Sequence, residues 1–270
     1  MANQLNFHIE IRGEGQPIYP LHGWNGNLED MLWLYEPLFE SRPNWKRIYF
    51  DLPGHGRTPG PDWITDASQL AQATWEMMLA NSGGQPFALS GFSYAGYIAL
   101  SFANQHPEKL LGLAGLNPVV VSDFESRLTP AFEVAANDGS FSEMLPAADA
   151  EALAGIIATQ TRPVAQRLLS MQDGPIADQE FLNSIRSDPQ RFHIAAAEAP
   201  LAQPFEQPSL FITGKQDQIS GYEQVRARLP EFPGAHFELL EGAGHLAYVE
   251  HTDQVRHLLG QWLDAMQDNL

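Results

Sequence analysis

Ser93 lies in "LSGFSYAGYIAL", residues 89–100, between a short apolar run and a stretch with helical spacing. A hydroxyl at such a strand-to-helix corner has two explanations. One is an ordinary turn with a helix-capping serine. The other is a nucleophile on a strained elbow, where two backbones pass so closely that positions 91 and 95 must stay small. Serine is a poor nucleophile at its own pKa; it needs an adjacent base, and the base needs an orienting acid. Two other turns carry those residue types. "GKQD", ending in Asp217, follows the apolar run "LFIT", and "EGAGH", ending in His245, follows "HFELL". A serine, an aspartate and a histidine therefore stand in that chain order, each just past an apolar run.

The surrounding elements decide whether the three can meet. "LNFHIEI" alternates with period two and predicts a half-buried strand, closed by the turn "GEGQP". "IYPL", "RIYF", "FALS", "LLGLAGL", "LFITG" and "HFELL" predict further strands. Between them, Leu70, Ala73, Met77 and Met78 suit one amphipathic helix. Tyr97, Ile98, Phe102 and Ala103 suit a second, and Val255, Leu258, Leu259, Trp262 and Leu263 a third. Alternating strands and helices predict an α/β fold with a mostly parallel central sheet and helices on both faces. After Asn117 the next strand waits about 90 residues, until Ser209, whereas a parallel crossover needs only about a dozen. The excess predicts an inserted helical cap over residues 119–204, with residues 1–118 and 205–270 forming the core. "DAEALAGIIATQ" and "RPVAQRLLSMQ" are its helical segments. Pro20 conflicts with a central strand, because it lacks the N–H of a ladder bond; it belongs at the strand's end, where the chain leaves the sheet.

Ligands of open parallel sheets bind beyond the carboxyl ends of the strands. The segments there are His22-Gly23-Trp24, "DLPGHGRT" (residues 51–58), Ser90–Ser93, "GKQD" and "EGAGH". With these five in order, the chain resembles the α/β-hydrolase fold superfamily over essentially its whole length. The inserted cap is similar to those of the esterase, lipase and carbon–carbon hydrolase branches. The resemblance implies Ser93 as nucleophile, His245 as base and Asp217 as the acid behind it. It also implies an oxyanion hole made by the backbone N–H groups of Trp24 and Tyr94. Asp123 rivals Asp217, since some members of this fold draw their acid from beyond that strand; its other role is to cap a helix at the cap entry. His22, His55, Asp51, Gly54 and Arg57 resemble bracing residues. The serine excludes the haloalkane dehalogenases and epoxide hydrolases of this fold, which place aspartate at the elbow. Ala95 stands where the usual Gly-x-Ser-x-Gly pattern has its second glycine. Alanine fits there only at negative φ, so strain should fall on Ser93, with Ala95 already helical.

Composition narrows the classes. A formal charge of −18 over 270 residues repels a phosphate backbone and argues against nucleic acid. There is no cysteine, hence no disulfide or thiolate chemistry. The histidines show no zinc spacing, and no glycine loop cradles a nucleotide; no metal and no cofactor are expected. No apolar run approaches the length of a membrane span, and the N-terminus does not read as a signal peptide. The expectation is a cytoplasmic monomer or homodimer that cleaves a small carboxylic ester or related acyl compound through an acyl-enzyme. The alternatives are a carbon–carbon bond hydrolase or a menaquinone-pathway-like lyase with the same three residues, or a ligand receptor. Lyase-type sequences tend to carry arginine where this chain has Tyr97. The His-Gly-Trp loop also resembles that of arylesterases with a perhydrolase side activity.

Overall fold

The structure, a computed structural model, describes residues 5–171, 174–175 and 177–267. Seven strands form the central sheet: β1 (Ile9–Arg12), β2 (Gln16–Leu21), β3 (Trp45–Phe50), β4 (Phe87–Phe92), β5 (Leu110–Leu116), β8 (Ser209–Gly214) and β9 (Ala235–Leu240). Their order is β1-β3-β2-β4-β5-β8-β9; β1 runs antiparallel to β3 and every other pairing is parallel. β4 and β8 are buried at every residue, as a strand covered on both faces must be, and they read as nearly continuous apolar runs interrupted by Ser90 in β4 and by Ser209 and Thr213 in β8.

Alternate residues feed two cores. Tyr19, Phe87 and Leu89 pack with α2 (Ala67–Asn81) and α3 (Tyr94–Gln105). Ile18 and Ala88 pack with α1 (Leu28–Tyr35) and α12 (Thr252–Gln267) on the other face. Asn27 and Asp66 start α1 and α2 as side-chain caps. Pro20 is the penultimate residue of β2, opposite Ser90, and the β3 ladder has already ended at Ile18. The strand thus carries its proline just before it leaves the sheet.

The segment between β5 and β8 contributes α4 (Ser140–Met144), α5 (Ala147–Ala154), α6 (Arg162–Ser170), α7 (Gln179–Arg186), α8 (Pro189–Phe192) and α9 (Ala195–Glu198). These helices form a cap. One expectation fails in part: "DAEALAGIIATQ" is not one helix. It stops at Ala154, capped by Gly155, and Thr159–Gln160 (β7) instead pairs in parallel with Ala136–Asn137 (β6). The β-branched end of that segment favours extended backbone. Gln172, at the end of "RPVAQRLLSMQ", lies outside the described residues, as do Met1–Gln4. After β8 come α10 (Glu223–Arg228) and α11 (Ala247–Glu250).

The elbow between β4 and α3 shows why its neighbours are small. A Cβ on Gly91 would lie 2.3 Å from the backbone oxygen of Ala95. Gly91→Ala should therefore lower unfolding stability by about 1–3 kcal/mol, as overpacking does; urea denaturation measures it.

Candidate active site

Ser93 has φ 53° and ψ −117°, while Tyr94 and Ala95 already belong to α3. The strain sits on the serine alone, and its hydroxyl makes no capping hydrogen bond. That removes the capping explanation. The twist is imposed from β5 and the chain after it: Ser93 N–H donates to Leu116 O at 2.9 Å, and Val119 N–H donates to Ser93 O at 3.0 Å. A turn so constrained lifts the hydroxyl off the sheet end.

The hydroxyl meets His245, whose Nε2 lies 2.9 Å from Ser93 Oγ. On the other side of the ring, Nδ1 lies 3.0 Å from both carboxylate oxygens of Asp217. An ionised carboxylate only accepts, so Nδ1 carries the proton and Nε2 is free to accept from the serine. Ser93 and His245 are each 7% exposed and Asp217 is fully buried. Burial alone would raise the Asp217 carboxyl. The charge of His245, its hydrogen bond, and donors from Asn117 and Ser220 together hold it below the usual carboxylate range. Ile219 N–H and Ser220 N–H donate to Oδ1 at 2.9 and 3.1 Å, and Asn117 Nδ2 donates to Oδ2 at 2.8 Å.

The Trp24 loop comes from the end of β2. A Cβ on Gly23 would lie 2.7 Å from the Phe92 ring and 3.1 Å from Ser93 Cβ, so only glycine lets this loop approach the elbow. Among the described residues, neither Trp24 N–H nor Tyr94 N–H has a protein acceptor. Tyr94 N–H is also a first-turn donor of α3, where the helix dipole favours negative charge. The Trp24 indole meets Tyr94, His55 and Phe192 edge-on, at centroid distances of 4.7, 5.4 and 5.2 Å. It forms a wall between the loops and the cap.

The remaining polar residues brace. His22 Nδ1 donates to Gly23 O, and its Nε2 accepts from Leu52 N–H at 3.0 Å. Burial lowers His22 and pushes His55 down to about 3, so both are neutral near pH 7. Asp51 accepts from Leu28 N–H, Arg57 N–H and His8, tying residues 51–57 to α1 and to the chain before β1. A Cβ on Gly54 would strike the Phe181 ring of α7 at 2.2 Å. Asp123 is exposed; its carboxylate caps the 3-10 turn Phe124–Ser126 and has no contact with His245. Tyr97 donates to Glu198 at 2.7 Å and accepts from Ile194 N–H at 2.8 Å, joining α3 to the cap.

Two residues of the site carry no motif in the sequence. Asn117 is the residue immediately after β5, but an amide has no chemistry of its own to mark it. Its Nδ2 touches both Asp217 and Gly244 O. Glu250, buried at the end of α11, accepts from Gly244 N–H beside His245. Among the described residues, no group of three or more His, Cys, Asp or Glu side chains is placed to hold a metal. None of their helices is long and apolar enough to cross a membrane.

The family model for the alpha/beta hydrolase fold matches residues 16–252. The chain is 27% identical over 273 residues to a pimeloyl-(acyl-carrier protein) methyl ester esterase of Xanthomonas campestris pv. campestris, covering 96% of this chain and 99% of that one. It is 21% identical to the esterase of the same name from Legionella pneumophila, covering 92% and 95%. An alpha/beta superfamily hydrolase from Oenococcus oeni superposes with a TM-score of 0.84 at 22% identity, covering 97% of each chain. A thermophilic esterase from Thermogutta terrifontis superposes at 0.69 and 20%, covering 97% and 94%. Since the family model spans most of the length, from β2 to the start of α12, the chain belongs to the α/β hydrolase fold family.

Proposed function

We propose that this protein is a serine hydrolase of small carboxylic esters, working through an acyl-enzyme. The observation that carries the reading is the unbroken row Ser93 Oγ–His245–Asp217, together with the Trp24 and Tyr94 N–H groups, which have no protein acceptor among the described residues. In the first half-reaction Ser93 Oγ attacks the ester carbonyl as His245 Nε2 takes its proton. The negative charge that develops on the carbonyl oxygen falls to Trp24 N–H and Tyr94 N–H; donors of this kind are worth about 3–4 kcal/mol each where one has been removed. Asp217 stabilises the imidazolium. The C–O bond breaks, His245 returns the proton to the departing alkoxide, and the acyl group stays on Ser93. In the second half-reaction water gives its proton to His245 and attacks the acyl carbonyl; Ser93 then leaves with that proton and the free acid is released.

The esterase names of the curated relatives support ester chemistry. Residues 119–204 act in this reading as the domain that selects the acyl group. A cavity of about 480 Å³ is lined by Leu145, Leu153, Leu168 and Met171 of the cap segment and by Asn25 and Asp30; neither Ser93 nor His245 lines it. Tyr97 stands where lyase-type relatives tend to have arginine, and its hydroxyl is engaged with Glu198 and Ile194, which favours hydrolysis over the lyase reaction.

A fluorophosphonate should label Ser93, and the label should be lost in Ser93→Ala and nearly lost in His245→Ala; mass spectrometry reads both. Efficient labelling of His245→Ala would remove that residue as the base. Asp217→Asn should lower kcat by up to about 10⁴-fold, because the ring would take the wrong tautomer, while Asp123→Asn should match the wild type. Short p-nitrophenyl esters should be turned over. Turnover of a ring-cleavage dienol with none of any ester would instead mark a carbon–carbon bond hydrolase.

A further inference from the structure

Glu250 is a buried acid that the reaction above does not use. It is 4% exposed, and three backbone N–H groups converge on its carboxylate. Oε1 accepts from Gly244 N–H at 2.8 Å, one residue before His245. Oε2 accepts from Ala158 N–H and Thr159 N–H, at 2.8 and 2.7 Å. Those two belong to the extended end of the cap segment, at β7. The same stretch reaches back to the histidine loop: His245 N–H donates to Ile156 O at 2.8 Å, and Thr159 Oγ1 donates to Gly242 O at 2.6 Å. The loop has no slack there, since a Cβ on Gly244 would lie 2.3 Å from Ile156 O. Arg167 of α6 closes the ring by donating to Val249 O and Glu250 O.

Resting on the hydrolase reading, we propose that Glu250 is a positioning residue. Its ionised carboxylate clamps the His245 loop to the cap and so fixes the imidazole against Ser93. All three near neighbours of the carboxylate are donors. A proton on either oxygen would leave an N–H facing a hydroxyl rather than an acceptor, and the clamp would loosen on that side. Burial pushes this carboxyl up to about 7, against the three N–H donors that lower it; Asp217 raises it further. The charged and titratable groups around it are Asp217 and His245 from the loops after β8 and β9, Arg167 from α6, and His251 and Asp253 just beyond α11.

The sign of the linkage separates positioning from stability. The folded carboxyl sits above its ordinary value of 4.5, so the folded chain holds the proton more tightly, and ionisation removes stability as pH rises from 4.5 towards 7. A neutral amide at this position should therefore leave the protein folded at pH 8, while removing the ionised clamp.

The test uses Glu250→Gln, Ser93→Ala and the wild type with a short p-nitrophenyl ester. At pH 8, Glu250→Gln should lower kcat by about 10- to 100-fold, as a small misplacement of a reacting group does, with KM little changed. On the acid side, wild-type kcat should fall more steeply than that of Glu250→Gln, because only the wild type can lose the carboxylate by protonation. Nuclear magnetic resonance gives an independent arm: the amide protons of Gly244, Ala158 and Thr159 should move upfield together in the wild type between pH 8 and pH 6, as their hydrogen bonds to the carboxylate weaken. Wild-type kcat and an unchanged acid limb in Glu250→Gln, with Ser93→Ala inactive, would overturn the positioning role and leave the hydrolase reading intact. Full activity of Ser93→Ala would sink the hydrolase reading instead. If the glutamine variant does not fold, pH-independent chemical shifts of the three wild-type amide protons overturn the clamp by themselves.

Discussion

The structure turns on one residue held where side chains rarely go. Ser93 at φ 53° carries a local backbone cost of about 1–3 kcal/mol. It persists because its surroundings over-determine it. Its N–H is taken by Leu116 of β5, and its carbonyl accepts from Gly96, Tyr97 and Val119. Gly91 and Gly96 remove the atoms that would block so sharp a passage from strand to helix; a Cβ on Gly96 would lie 2.5 Å from the Pro118 ring. The parallel sheet therefore stores strain at the one hydroxyl that must stand clear of it.

The histidine arm is built differently. Its acid is wholly buried yet remains a carboxylate, because Asn117, Ile219 and Ser220 aim donors at it and His245 faces it. Asn117 itself sits at φ 43°, a second strained residue at the end of a neighbouring strand. Its amide joins Asp217 to the carbonyl of Gly244, so Asp217 and the loop bearing His245 share one support. On the far side of that loop lies Glu250 with the cap backbone. The core thus holds one flank of His245 and the cap the other.

The cap shares both apolar cores, with Ile185, Ile194 and Ala197 in one and Leu145, Ile157 and Val164 in the other, and polar and aromatic contacts add to that packing. Tyr97 on α3 and Glu198 on α9 form one tie, strengthened by Ser122, whose N–H and hydroxyl both donate to Glu198 at 2.9 and 2.6 Å. Phe192 of α8 stacks on Tyr94 of α3 at 4.7 Å. With a formal charge of −18 on the chain, such short-range ties hold the cap against an overall like-charge repulsion.

Much of this was legible in the chain itself. The seven apolar runs, their alternation with amphipathic stretches and the late return at Ser209 specify a parallel sheet with an insertion, because hydrophobic periodicity is a local property. Ser93, Asp217 and His245 could be picked out because each follows a strand within a few residues. The sequence also determined that Ala95, not glycine, would serve in the elbow, since negative φ suffices in the first turn of α3. What it left open was contact between residues far apart. The sequence favoured Asp217 over Asp123 without excluding the rival; the fold brings Asp217 to His245 and turns Asp123 to cap its own short helix. The break of the predicted cap helix at Ala154 likewise reflects the pull of Glu250 and β6 on Ala158–Gln160. Asn117 and Glu250 have no spacing or motif to announce them. Their partners lie 100 and 91–92 residues away for Asp217 and the cap amides, and tertiary packing alone could make an amide and a buried acid into supports of the site.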